Sequence, residues 1–250
     1  HNRDEVYRIS DHIAVISDGK VDCFDEKKRI FEAIDVLGYQ SGADKNEKKR
    51  YMVLVCSICQ PDILKGVGVQ AGEMDYEGEK VNIVVPTGNF GNILAAYYAM
   101  KMGLPVNKLI CASNENNVLT DFIRTGVYNK NRPFHTTSSP SMDILVSSNL
   151  ERLLYDMTGG NDALVASWMK SLNDAGVYTV NAEVKAKMDE LFYGGYCDEQ
   201  GTKAAIKEMF ETENYLIDPH TAVAVNVYQQ YLQETGDLET PAIIASTASP

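Results

Sequence analysis

Val84-Val85-Pro86-Thr87-Gly88-Asn89-Phe90-Gly91-Asn92 decides the fold: an apolar run passes through a turn with two glycines and enters a helical pattern directly, at residues 92–102. Residues 81–85 have the near-continuous apolar character of a strand covered on both faces. The helix that follows is apolar on nearly every side (Ile93, Leu94, Ala95, Ala96, Tyr97, Tyr98), with Gly103 as its C-cap and Pro105 just beyond. Residues 108–113 repeat the strand, and a strand–helix–strand unit of about 30 residues is the length of a parallel crossover. Such a strand-to-helix turn points unpaired backbone N–H groups and the positive end of the helix dipole at one spot. The predicted ligand is therefore an anion, most simply a phosphate. Gly88 and Gly91 lack the Cβ atoms that would keep the backbone from the oxygens, and Asn89 tolerates left-handed dihedrals while adding an amide donor. Neither the Gly-x-Gly-x-x-Gly spacing of a dinucleotide turn nor the lysine of a P-loop is present. Glycines that only shape a strand-to-helix turn are the alternative reading.

Outward from this turn, the pattern predicts further helices at 117–124, 149–157, 162–173, 182–192, 202–211 and 221–234, with strands near 178–180, 215–217 and 242–245. Alternation of this kind describes an α/β domain. Residues 1–77 are less coherent and are expected to form a separate segment, with 78–250 as the α/β domain. Ile13-Ala14-Val15-Ile16 is a strand candidate closed by the hairpin turn Ser17-Asp18-Gly19-Lys20, residues 27–37 have helical spacing, 44–50 are a charged linker, and 51–58 could form a strand. The chain begins with His and stops on Ser249-Pro250 straight after an apolar strand, so a fragment is expected.

The chain has 250 residues, 44% of them hydrophobic and 23% charged, within the ordinary range of a globular protein and against disorder as the main state. A formal net charge of −12 opposes binding to nucleic acid or to an anionic membrane surface. No apolar run is long enough to span a bilayer and the first residues lack the apolar core of a secretory signal, so a cytoplasmic chain is expected. Five cysteines at irregular spacing (Cys23, Cys56, Cys59, Cys111, Cys197) make no disulfide framework and fit reduced thiols. Cys56 and Cys59 have the spacing of half a zinc site or a redox pair, but no second pair of ligands follows, and buried strand cysteines are the better reading.

Six stretches in order resemble threonine synthases. They are residues 86–92; Leu109-Ile110-Cys111-Ala112-Ser113-Asn114-Glu115-Asn116-Asn117; Ser139-Pro140-Ser141-Met142-Asp143-Ile144; Ser148-Asn149-Leu150-Glu151-Arg152-Leu153; Asp218-Pro219-His220-Thr221-Ala222-Val223-Ala224; and Ala245-Ser246-Thr247-Ala248-Ser249-Pro250. The resemblance covers residues 78–250. It implies a lyase of the tryptophan-synthase-β-like, fold-type II class, dependent on pyridoxal 5'-phosphate, which converts the small-molecule substrate O-phosphohomoserine and water to threonine and phosphate in threonine biosynthesis. Carried over residue by residue, it makes Gly88, Asn89, Phe90, Gly91 and Asn92 the cradle of the cofactor phosphate. Thr247 is similar to the hydroxyl that faces the pyridine nitrogen in this fold; a neutral partner there would leave that nitrogen largely unprotonated. An ordinary turn residue is the alternative for Thr247.

Asn149 and Arg152 share a helical face and are candidates to hold a substrate phosphate, against a simple surface pair. His220 fits either a side chain at the mouth of the site or a capping and packing role. Trp168, Tyr97 and Tyr98 are read as core. The family's cofactor-bearing lysine lies in a motif resembling Pro-Thr-x-x-Phe-Lys-Asp, and these 250 residues contain no such stretch, nor the serine- and glycine-rich loop that grips the substrate. Lys101 and Lys108 sit at solvent-facing ends of a helix and a strand and do not replace it. Residues 1–33 resemble the stretch after the switch histidine of an ABC-transporter ATPase, with His1 in that histidine's place, but no Walker A lysine, signature motif or Walker B carboxylate precedes them, which excludes ATP hydrolysis by this segment. The alternatives are a non-catalytic composite chain and an ATPase-related regulatory segment fused to an amino-acid-sensing domain.

Overall fold

The computed structural model describes residues 80–248 throughout and, ahead of them, three strands: β1 (Ala14–Ser17), β2 (Lys20–Cys23) and β3 (Tyr51–Val55). The chain continues through β4 (Val81–Pro86), α1 (Gly91–Lys101), β5 (Val106–Ser113), α2 (Val118–Thr125), β6 (Val127–Asn129), a 3-10 turn (Pro140–Met142) and α3 (Leu150–Met157). Then come α4 (Asp162–Asp174), β7 (Val177–Thr179), α5 (Ala182–Leu191), β8 (Phe192–Tyr196), α6 (Glu199–Glu213), α7 (Pro219–Thr235) and β9 (Ala242–Ser246).

Five strands form one sheet in the order β3-β9-β4-β5-β8, and every neighbouring pair is parallel. All six residues of β4 are buried. A parallel strand needs cover on both faces, and the side-chain alternation supplies two cores. Val81, Ile83 and Val85 join Leu109 and Cys111 on one face, beneath Ile93 of α1, Phe122 of α2, Leu153 of α3 and Val184 of α5. On the other face Val84 joins Ile110, Ala112 and Ile244, beneath Ala205 of α6 and Ala222, Val223 and Val227 of α7. Asn82, buried within β4, is satisfied by Asp237 and Asn107: its Nδ2 donates to Asp237 Oδ2 at 3.0 Å and its Oδ1 accepts from Asn107 Nδ2 at 2.9 Å. No helix among the described residues is long and apolar enough to cross a membrane.

The β1–β2 hairpin, paired Ala14 to Cys23 through Ser17 to Lys20, forms at the turn signal in the sequence. β3 pairs in parallel with β9, Tyr51 beside Ala242, so the sheet takes one strand from before residue 78. Beyond β1 and β2, the ATPase-like resemblance of residues 1–33 lies outside the described residues, as do the helix expected at 27–37, the linker at 44–50, and Cys56 and Cys59.

Three expectations are corrected. The helix expected at 182–192 ends at Leu191, because Phe192 opens β8, which carries Gly194 and Gly195 in its middle. Packing demands those glycines: a Cβ on Gly195 would stand 2.6 Å from Val227 Cγ1 of α7, and one on Gly194 would stand 3.2 Å from Thr120 and Ile123 of α2. Residues 215–217 are not a strand; Asn214 closes α6 in a left-handed conformation (φ 51°), and Ile217 is buried on the way to Asp218, the N-cap of α7. The strand expected near 178–180 is β7, half of a separate antiparallel ribbon with β6, where Tyr128 and Tyr178 face each other in register and their rings stack 5.3 Å apart. That ribbon's first strand went unread, since three residues are too few to show a period.

Candidate ligand cleft

β4 and β9 are neighbours in the sheet, and a cleft of about 280 Å³ opens where both end. Its wall includes the turn Thr87–Phe90, Gly91, Asn92, Ser141, Met142, Asn149, His220 and Thr247. Ligands of open α/β sheets bind at the carboxyl ends of strands in this way. The structure thus brings together the sequence candidates Gly88, Asn89, Phe90, Gly91, Asn92, Asn149 and Thr247, and adds His220. Arg152 is exposed on α3 and is not among the lining residues.

The turn is held from behind. Ser147 Oγ donates to the Gly88 carbonyl at 3.0 Å, and the Ser148 N–H and Oγ both donate to Asn89 Oδ1 at 2.7 Å. Asn149, the N-cap residue of α3, gives its own helix no side-chain hydrogen bond; its Nδ2 donates instead to the Asn89 carbonyl at 2.8 Å. Tyr128 fixes this brace by accepting from the Ser147 N–H at 2.8 Å while its hydroxyl donates to the Leu145 carbonyl at 3.1 Å. Ser147 escaped the sequence reading, where the run Ser147-Ser148-Asn149 before a helix signals only a cap.

Phe90 takes a left-handed backbone (φ 64°), costly for a residue with a Cβ, and its ring is buried 5.9 Å from that of Phe192. Gly88 is required by contact with the chain itself: a Cβ there would meet the Ser141 carbonyl oxygen at 2.9 Å and Met142 Cα at 3.0 Å. The 3-10 turn that presses on Gly88 is anchored by Asp143. Its Oδ1 accepts from Asn114 Nδ2 (2.7 Å), Asn116 Nδ2 (3.0 Å) and Thr137 Oγ1 (2.7 Å), and its Oδ2 from the Thr137 N–H (2.9 Å).

Gly91 differs. A Cβ on it would meet only Asn149 Nδ2, at an ordinary 3.7 Å, and the residue is exposed at the cleft. Glycine adds backbone freedom that the helix must give up, and no neighbour among the described residues demands it. α1 also begins with no side-chain cap and no acidic residue in its first turn, whereas α4, α5, α6 and α7 are capped by Asn161, Asn181, Asp198 and Asp218. The first-turn amides of α1 are thus left to an outside acceptor.

Asp218 is buried and accepts from four donors: the His220 N–H (2.8 Å), His220 Nδ1 (3.0 Å), the Thr221 N–H (3.2 Å) and Thr221 Oγ1. Burial pushes its carboxyl pKa up, but the hydrogen bonds from His220 and Thr221 outweigh that and hold it below the usual carboxylate value. Thr221 Oγ1 lies 3.0 Å from Ser246 Oγ at the end of β9, which joins this cluster to the residue before Thr247. Burial pushes the Cys111 thiol up to about 12 and the Cys197 thiol up to about 11, so neither is a nucleophilic thiolate at neutral pH. No cluster of three or more His, Cys, Asp or Glu side chains able to hold a metal ion occurs among the described residues.

No family model matches the chain. Over 172 residues, 68% of this chain, it is 44% identical to human threonine synthase-like 1, of which it spans 23%. It is 39% identical over 194 residues to threonine synthase of Schizosaccharomyces pombe and 37% identical over 187 residues to that of Saccharomyces cerevisiae, spanning 38% and 36% of those enzymes. Among solved structures, a pyridoxal-phosphate-bound threonine synthase from Brucella melitensis superposes with a TM-score of 0.66 at 33% identity, covering 76% of this chain and 43% of that one. Yeast threonine synthase superposes with a TM-score of 0.65 at 37% identity, covering 70% of this chain and 36% of its own. The described α/β unit thus has the fold of fold-type II, pyridoxal-phosphate-dependent enzymes, and the chain spans less than half the length of the relatives it resembles.

Proposed function

We propose that this chain is the cofactor-phosphate-holding part of a threonine synthase-like, pyridoxal-phosphate-dependent lyase that acts on O-phosphohomoserine. The observation that carries the reading is Gly91. It is a helix-start glycine that nothing among the described residues requires, at the mouth of an uncapped helix, with open cleft where its Cβ would be. A phosphate explains both features, because its oxygens need the amides and the room. Similarity to threonine synthases over some two thirds of the chain supports the choice of cofactor and substrate.

Pyridoxal phosphate, when bound, supplies an electron sink for bond breaking next to the substrate's amino group. The chain's own residues do the holding. The amides of Gly88–Asn92 would take the phosphate oxygens, the Ser147–Ser148–Asn149 brace keeps the carbonyls of that turn engaged behind it, and Thr247 would offer a neutral hydroxyl to the ring nitrogen. Asn149 serves the turn through one of its amide hydrogens, and Arg152, one helical turn on, is the second candidate to hold a substrate phosphate. The chemistry needs a lysine of the family's kind, and its motif does not occur in these 250 residues. Two buried free thiols fit a reducing, cytoplasmic setting.

Calorimetry with pyridoxal phosphate tests this. The full chain should bind one equivalent, and Gly91→Val should lose binding while keeping its circular dichroism and melting temperature. Equal binding by both proteins would refute the cradle.

A further inference from the structure

Every residue lining the cleft is uncharged except one that can titrate. Val85, Pro86, the Thr87–Asn92 stretch, Ser141, Met142, Asn149 and Thr247 carry no ionisable side chain; His220 does. Its imidazole side chain is 13% exposed, and Nδ1 lies 3.0 Å from Asp218 Oδ1. Asp218 titrates below the usual carboxylate range, so at neutral pH it only accepts and Nδ1 must carry the hydrogen. The other ring nitrogen, Nε2, is buried with less than 1 Å² exposed and has no hydrogen-bond partner, alone in this respect among buried side-chain polar atoms of the described residues. A buried polar atom without a partner costs roughly 1–3 kcal/mol, so a partner is expected when the protein is at work.

We propose that His220 is a ligand-contact residue: its Nε2 donates a hydrogen bond, as the imidazolium held by Asp218, to the anion that the Gly88–Asn92 turn binds. The inference rests on the phosphate reading of that turn and adds the cleft's source of positive charge. Elsewhere in the cleft the anion would meet only amides, hydroxyls and a helix end, within a chain of net charge −12. An imidazole whose Nδ1–H is held by a carboxylate can carry a proton on Nε2 when an anion binds there, the imidazolium then lying between two negative charges. The groups that face the pair are Asp218 itself, the Thr221 and Ser246 hydroxyls, and Tyr215, whose hydroxyl is pushed up to about 12 by burial and by the Asp218 charge and so stays neutral. Thr221 joins Asp218 to Ser246 at the end of β9, the strand that leads into Thr247.

The two ring nitrogens can be separated by substitution. His220→Asn keeps an amide near the Nδ1 position, for Asp218, and removes the Nε2 contact. His220→Gln places an amide near Nε2 but cannot become cationic. The test titrates full-length chain with pyridoxal phosphate while nitrogen-15 NMR follows the histidine side chains, of which the chain has four. Expected is a His220 Nε2 signal that changes on binding and is that of a protonated nitrogen in the bound state. Expected too is a loss of affinity of about tenfold or more in His220→Asn, the ordinary weight of a hydrogen bond to a charged group, with partial recovery in His220→Gln. Wild-type binding should weaken from pH 6 to pH 8 more steeply than binding by either variant, the difference removing the titration of the ligand's own phosphate. If pyridoxal phosphate binds and depends on Gly91 while the His220 signal stays fixed, this inference is wrong and the cradle stands. Binding that survives Gly91→Val would mean that the cradle itself is wrong. The NMR arm uses wild-type protein, so its outcome does not depend on whether a variant folds.

Discussion

Asn149 Nδ2 donates to the main-chain carbonyl of Asn89 at 2.8 Å, and the Asn149 main-chain N–H reaches the same oxygen at 3.3 Å. Two residues 60 positions apart in sequence are thereby locked so that the turn's carbonyls face the brace. Preorganising donors in this way lowers the cost of ordering them when the ligand binds. Asn149→Ala should therefore weaken pyridoxal phosphate binding by about tenfold, while changing stability by no more than about 1 kcal/mol, since the residue is half-buried and the change removes hydrogen bonds without opening a core cavity. Calorimetry beside urea denaturation separates the two effects; an equal loss in both would make the brace merely structural.

Gly88 and Gly91 should respond oppositely to alanine. At Gly88 the new methyl group would push on the backbone of Ser141 and Met142, so Gly88→Ala should cost about 1–3 kcal/mol, seen as a lowered denaturation midpoint. Gly91→Ala should leave stability unchanged or raise it by up to about 1 kcal/mol while reducing ligand affinity. A destabilised Gly91→Ala would show that the chain, and not the ligand, needs that glycine.

Gly195→Ala should be among the most damaging single changes, because its methyl would overlap Val227 Cγ1, 2.6 Å away and itself buried. A loss of about 2 kcal/mol or more is expected from such overpacking, and Val227→Ala in the same molecule should restore part of it. A melting curve unchanged by Gly195→Ala would contradict the β8–α7 packing.

Asp218 gives a pH dependence with a definite sign. Its folded pKa lies below the unfolded value of about 3.9, so its contribution to stability is complete above that value and disappears as pH falls through it toward the folded one. Asp218→Asn should flatten the acid limb of stability against pH below about 4, and should also lower stability at pH 7 by roughly 1–3 kcal/mol because several donors lose a charged acceptor. The limb will not vanish, since Asp156 and Asp237 are also held low. An acid limb identical to wild type would mean that the Asp218 bonds are not formed in solution.

Arg152→Ala should leave pyridoxal phosphate binding unaltered, its side chain being outside the cleft lining. If Arg152 holds the substrate phosphate, the same change should abolish binding of O-phosphohomoserine or inorganic phosphate at a second site, measured by calorimetry on the cofactor-loaded chain. A cofactor affinity that falls together with substrate binding would move Arg152 into the cradle.

The sequence made the β4–turn–α1 unit legible to within a residue at each end, because a doubly covered strand, a glycine turn and an apolar helix are each local patterns. β8 stayed hidden for a physical reason: its glycines serve helices α2 and α7, whose contacts are fixed by tertiary packing, and a glycine pair reads locally as a break. Residues 215–217 erred the other way, as three apolar or aromatic positions that look like a strand but lie between two helix caps, with no strand among the described residues paired to them. The Ser147 and Ser148 bonds span 59 residues, a distance over which no periodicity signals a partner. His220 was readable as a candidate, but only coordinates show that one of its nitrogens is held and the other is not.

β9 lies between β3 and β4, yet on the chain it comes after both, by well over a hundred residues. During synthesis β3 and β4 therefore leave the ribosome long before the strand that joins them, and each must wait with an unpaired apolar edge. The ligand wall suffers the same delay: the turn after β4 exists early, but its opposite side, at Thr247, arrives with the strand that completes the sheet. Nascent chains stalled before residue 242 would thus hold only one wall of the cleft and keep the edges of β3 and β4 that face β9 unpaired, which makes them prone to association.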